Sequence, residues 1–224
     1  MLRTILFCLL AAASLHANSL YYNTIDTSAL TGQSGYLVFD FLSGGGPGDN
    51  AASIEGFTSD GTLGASFTTG EVIEPFGPLP NTVILVTDPV NSPFNEYQNA
   101  FTFGTTMSFY VNATENAPGP DSAPDELSLY FLTSDDATSL ITTSDPTGAD
   151  TLLTLDLDGS ANGVPTVYSV SDPSGVSATM TLNGGPPASA PEPSPEWLGA
   201  AGLCLIGLSK LRREMVVRRQ ASVG

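Results

Sequence analysis

The chain has 224 residues and a formal net charge of −17, length enough for one ordinary domain with appendages. All six basic residues lie near the ends, at Arg3, Lys210, Arg212, Arg213, Arg218 and Arg219, while every carboxylate except Glu192, Glu196 and Glu214 falls within residues 18–190. A body without Lys or Arg cannot neutralise phosphates, which excludes nucleic-acid binding by it.

The same body can form no internal salt bridge, so its carboxylates must be solvated, hydrogen-bonded or shared with a bound cation. The two cysteines, Cys8 and Cys204, lie in terminal apolar runs, and the single histidine is His16. The body therefore lacks a disulfide, and at its length a hydrophobic core can do without one.

In chain order, residues 1–17 (MLRTILFCLLAAASLHA) place Arg3 before an apolar stretch from Ile5 to Ala13 and end on small residues. This is the layout of a secretory signal helix cleaved after Ala17. Residues 18–183 are dense in Gly, Pro, Ser, Thr, Asn and Asp and show period-two alternation. Leu37, Phe39 and Phe41 share one face of YLVFDF. Met107, Phe109 and Val111 do so in TMSFYVNAT, and Leu127, Leu129 and Phe131 in ELSLYFLT. Leu153, Leu155 and Leu157 alternate in LLTLDLD, as do Val176, Ala178, Met180 and Leu182 in GVSATMTL.

One apolar face at period two predicts half-buried antiparallel strands. With LYYNTI, ASIEGFT, LGASFT, NTVILVT, NAFTF and TVYSV there are about ten or eleven of them. The expected fold is all-β, a two-sheet antiparallel β-sandwich of jelly-roll-like form over 18–183. Residues 184–196 read as a Pro-rich linker. Residues 197–211 read as a short transmembrane helix, and 212–224 as a basic cytoplasmic tail. The apolar core from Trp197 to Leu208 would span only about 18 Å as a helix, against about 30 Å of hydrocarbon. That length suits a transient stop.

The triplet Pro191-Glu192-Pro193, the apolar run and the basic cluster ending in Arg212-Arg213 resemble the PEP-CTERM sorting signal of Gram-negative-type bacteria. Glu196 ahead of the helix and the extension EMVVRRQASVG depart from the usual pattern. The body is similar to a group of PEP-CTERM proteins of undefined function in its LYYNTIDTSALTG, FNEYQNAFTFGTTMSFYVNAT and PDELSLYFLT stretches. The resemblance implies signal peptidase and an exosortase as processing partners, with membrane tethering through the C-terminal helix beforehand. It further implies release or attachment at the cell surface or in the extracellular medium, where extracellular polysaccharide becomes a partner.

Most catalytic chemistry is removed by composition. Residues 18–190 contain no His, Cys, Lys or Arg, so Ser-His-Asp and Cys-His triads, thiolate metal sites and Schiff-base lysines are excluded. A carboxylate-pair glycosidase remains as a third reading, drawing on Glu55, Glu71, Glu74, Glu96, Glu115 and Glu126. Calcium is the one candidate cofactor. DLDGSANG places Asp156, Asp158 and Asn162 around a Gly turn, which is either an oxygen-rich cation loop or an ordinary turn after a strand. PGPDSAPDE adds Asp121, Asp125 and Glu126, with Asp135 and Asp136 beyond the next strand. Tyr110 and Tyr130 lie opposite their strands' apolar sets and form a glycan platform if those strands pair. The sequence thus favours a non-enzymatic structural or adhesive surface protein, with a calcium-dependent glycan-binding module as the alternative.

Overall fold

A computed structural model describes residues 18–46, 50–135, 138–159 and 163–182. The readings of the two ends (signal peptide, linker, Pro191-Glu192-Pro193, short helix, Arg212 and Arg213) lie outside the described residues. Among the described residues no helix is long and apolar enough to cross a membrane.

The described residues form fourteen strands: β1 Asn18–Asp26, β2 Ser34–Leu42, β3 Ala51–Ser59, β4 Thr62–Thr69, β5 Val72–Ile73, β6 Val83–Val86 and β7 Phe94–Thr102. They continue with β8 Thr106–Thr114, β9 Asp125–Thr133, β10 Thr142–Thr143, β11 Leu153–Leu157, β12 Val164–Val167, β13 Val170–Asp172 and β14 Ser177–Leu182. A first six-stranded sheet has the order β14-β1-β8-β3-β6-β5, and a second has β12-β11-β9-β2-β7-β4. Strands β10 and β13 make a small separate ribbon. All the strand pairings are antiparallel.

The two large sheets pack as a sandwich, and the alternation read from the sequence selects the inner faces. Leu37, Phe39 and Phe41, then Met107, Phe109 and Val111, then Leu127, Leu129 and Phe131 are all buried. Aromatic rings close the gap between sheets. Phe39 of β2 meets Phe109 of β8 edge-on at 5.3 Å, and Phe57 of β3 meets Phe101 of β7 at 6.2 Å. Such edge-to-face pairs add to the area they bury. Strand β14 lies at the sheet edge, and its set fades along the strand: Ala178 and Met180 are half-buried and Leu182 is exposed.

The structure departs from the sequence reading at three places. Strand β7 begins at Phe94, five residues before NAFTF, because its first inward residues are Asn95, Tyr97 and Asn99, which do not read as an apolar set. TVYSV straddles two elements: β12 ends at Val167, and after Tyr168 and Ser169 the chain enters β13. Strands β5 and β10 are two residues each, too short to carry a period.

Candidate functional site

The inner face of β8 runs Met107, Phe109, Val111 and Ala113, and one further step places Glu115 on the same side, just past the strand end. Strand β9 begins the same way, with Asp125 preceding Leu127 and Leu129. Two carboxylates therefore enter the margin of the core, 6% and 4% exposed.

Their surroundings are opposite. The Gly44 amide donates to Asp125 Oδ1 at 2.8 Å, while Thr87 Oγ1 and Asn50 Nδ2 donate to Oδ2 at 2.7 and 3.1 Å. Asn50 Oδ1 in turn accepts from Thr114 Oγ1 and from the Asn116 amide, each at 2.9 Å. This network fastens the loops before β3, after β6 and after β8 to the start of β9. A buried carboxylate in a body without cations is thus held by neutral donors alone.

The Ser19 hydroxyl approaches both Glu115 and the hydroxyl of fully buried Tyr21, but no well-formed hydrogen bond reaches either group. Both stand beside the β11–β12 turn. Gly163, at φ +50°, packs closely against them: a Cβ there would lie 2.9 Å from the Tyr21 hydroxyl, 3.0 Å from Glu115 Oε1 and 3.0 Å from the Asp156 carbonyl oxygen, too near for a side chain. Burial, then the nearby charge of Asp158, pushes the Glu115 carboxyl up to about 7, with the Ser19 hydroxyl pulling the other way. Burial likewise pushes Tyr21 up to about 12, with Glu115 and Asp158 adding to it and Ser19 again opposing.

Of the residues proposed for calcium, Asp156 and Asp158 flank Leu157 at the end of β11, and Asn162 lies outside the described residues. Among the described residues, no three acidic, histidine or cysteine side chains gather into a metal-holding group. The PGPDSAPDE acids separate as strand alternation requires: Asp121 is exposed, Asp125 is buried, and Glu126 points out of the opposite face. Asp135 accepts from Thr133 Oγ1, and Asp136 is outside the described residues.

The outer face of the second sheet carries two cross-strand carboxyl pairs, Asp40 with Glu96 and Glu126 with Asp156. Burial, and then the charge of cross-strand Glu96, push Asp40 up to about 7 against the pull of the Tyr130 hydroxyl, which donates to Asp40 Oδ2 at 2.5 Å. Burial and neighbouring Glu126 raise Asp156. Within each pair the carboxyls occupy directly opposed positions on neighbouring strands. Two surface cavities of about 240 and 300 Å³, around Leu63 and Phe101, are lined by no carboxylate. Glu55 accepts from Ser53 Oγ at 2.8 Å.

Tyr110 and Tyr130 do not stand side by side, because β8 and β9 belong to different sheets. Tyr110 instead pairs with Tyr22, its cross-strand partner on β1, with ring centroids 5.0 Å apart. Tyr22 and Tyr110 are both half-buried, on the outer face of the first sheet. The signal was available in LYYNTI, where alternation that buries Tyr21 must turn Tyr22 outward. No family model, curated protein or solved structure matches the chain.

Proposed function

We infer that this chain is an exported, exosortase-processed surface protein whose sandwich serves a structural and adhesive role in the envelope or extracellular polysaccharide. Delivery rests on the terminal sequence signals: an Arg3-led apolar leader at one end, and Pro191-Glu192-Pro193 before an apolar run and Arg212-Arg213 at the other. The adhesive role is carried by one observation, the half-buried Tyr22–Tyr110 pair on the outer face of a sheet. Beside it, Glu55 of β3 is the cross-strand partner of Tyr110, and Ser108 stands two residues from Tyr110 on β8, opposite Thr24. Flat rings flanked by hydroxyl and carboxylate groups suit stacking against sugar rings with polar contacts at their rim.

The finer, jelly-roll form of the sandwich is supported by strand order. Strands β1, β8, β3 and β6 line up in one sheet and β2, β7 and β4 in the other, so successive strands cross between layers. A non-catalytic role is supported by the composition of residues 18–190, which removes the common nucleophile–base pairs.

Two readouts test this function in cells producing extracellular polysaccharide. The C-terminus of the surface-recovered chain, read by mass spectrometry, should fall near Pro191–Pro193. An intact chain retained in the cell would contradict the delivery reading. Migration through a gel containing that polysaccharide should be retarded for the wild type and restored by Tyr22→Ala or Tyr110→Ala. Equal retardation of both variants and wild type would sink the platform.

A further inference from the structure

We propose that the Tyr22–Tyr110 face takes a linear polysaccharide bearing free amines, with a protonated sugar amine lying against the rings beside the Glu55 carboxylate. The inference rests on the adhesive reading of that pair and goes beyond it by fixing the charge class of the glycan. Its first support is the register of the sheet. Tyr22 on β1 and Glu55 on β3 are both cross-strand partners of Tyr110 on β8, so the three side chains stand in one row on the outer face. The rings are 5.0 Å apart and tilted by 42°. Neighbouring strands lie about 4.8 Å apart, which puts an ammonium on the Tyr110 ring within reach of the carboxylate as well. Among the described residues that the register sets directly beside the rings, Glu55 alone carries a charge. The Ser53 hydroxyl donates to Glu55 Oε1 at 2.8 Å and ties that carboxylate to the sheet.

The second support is the shape of the strand beside Tyr110. Strand β3 bulges between Glu55 and Thr58, and exposed Gly56 sits in the bulge at φ +59°. A Cβ there would lie 3.3 Å from Cδ2 of the Tyr110 ring, so any side chain would cover that flank of the ring. Glycine leaves it open next to Glu55. In the adjoining row Thr24, Ser108 and Thr58 line up across three strands, the last two hydroxyls 2.8 Å apart, and offer hydrogen bonds to a neighbouring sugar unit. The third support is charge. Every charged side chain from residue 18 to 190 is a carboxylate, so the body draws cationic chains in and turns anionic polysaccharides away. An ammonium satisfies an aromatic face and a carboxylate together, which a neutral hydroxyl does not.

The test is calorimetric titration of the full chain, at one ionic strength and mildly acidic pH, with a glucosamine oligomer, its N-acetylated counterpart and a galacturonate oligomer. The wild type should bind the glucosamine oligomer at least about fivefold more tightly than the acetylated one, as a partly exposed ion pair and a cation–π contact together would give. Galacturonate should not bind. Glu55→Gln, which keeps an oxygen for the Ser53 hydroxyl, should erase the preference and leave binding of the acetylated oligomer unchanged. Tyr110→Ala should weaken both. Asp121→Asn removes the same charge from an exposed turn and should change neither. Equal binding of the two oligomers, or equal losses in Glu55→Gln and Asp121→Asn, would overturn the amine preference and leave the tyrosine platform standing. Absence of binding, or binding untouched by Tyr110→Ala, would overturn the platform and this inference with it. Tighter binding of a lysine-rich peptide, lost in Glu55→Gln, would overturn the glycan assignment in favour of a protein partner.

Discussion

Asp125 and Glu115 enter the core by the same rule and meet different fates there. Each extends an apolar alternation by one residue, and each is more than nine-tenths buried. Asp125 receives three donors from segments far away in sequence, Gly44, Asn50 and Thr87. Glu115 has only the Ser19 hydroxyl nearby, with no well-formed hydrogen bond to either oxygen. Burial alone therefore does not separate a structural carboxylate from one with capacity to spare. The number of donors aimed at it does. A charge held by three neutral donors is a fastening, whereas an unsatisfied one is a cost that persists only if something offsets it.

The comparison can be broken most easily at Asp125. Asp125→Ala leaves the Gly44 amide, Asn50 Nδ2 and Thr87 Oγ1 without their acceptor, and about 3 kcal/mol of stability should be lost. Denaturant unfolding measures this directly, and a loss below about 1 kcal/mol would show that water replaces the carboxylate.

The next effect is the response to pH in metal-free buffer. Glu115 and Asp40 hold their protons up to about 7 in the folded protein, and release them near their ordinary 4.5 and 3.8 when unfolded. The folded state binds more protons between those values, so their contribution is full below about pH 4 and is lost as pH rises through 7. Asp60 works in the opposite direction. Its bonds from Thr105 and Thr106 hold it down to about 2, so its contribution disappears as pH falls below 4. The melting temperature should accordingly be higher near pH 5 than at pH 8. A flat profile would mean that Glu115 and Asp40 are solvated.

Glu115→Leu sharpens the contrast with Asp125→Ala. Without metal, replacing an unsatisfied carboxyl by an apolar group of similar size should change stability by less than about 1 kcal/mol, or increase it. A loss like that of Asp125→Ala would show that Glu115 has partners after all. The smallest effect is expected on the outer face. Tyr130→Phe removes the donor to Asp40 Oδ2, so Asp40 should titrate higher still, at a cost of about 1 kcal/mol or less. A carbon-detected carboxyl titration that leaves Asp40 unmoved would contradict the bond.

Both buried carboxylates were within reach of the sequence. Counting by twos from Met107 arrives at Glu115, and counting back from Leu127 arrives at Asp125. What alternation cannot supply is the partner list. The donors to Asp125 come from loops before β3 and after β6, and the oxygens around Gly163 come from β1, β8 and β11. The same division holds for the fold. Strands with apolar inner faces were legible, as with Phe39 and Leu129. The polar opening of β7 at Asn95, Tyr97 and Asn99 was not, because tertiary pairing rather than hydropathy places it inward. The tyrosine platform failed for a topological reason. Tyr110 and Tyr130 were each correctly turned away from the core, but the chain changes sheets between β8 and β9.

The most direct measurement is a carboxyl titration of Glu115 in the metal-free full chain, followed by carbon-detected NMR. Glu115 should titrate at about 7, since its burial and the nearby charge of Asp158 outweigh the pull of the Ser19 hydroxyl. A midpoint near its ordinary 4.5 would show a solvated or well-partnered carboxylate, and the contrast with Asp125 would collapse.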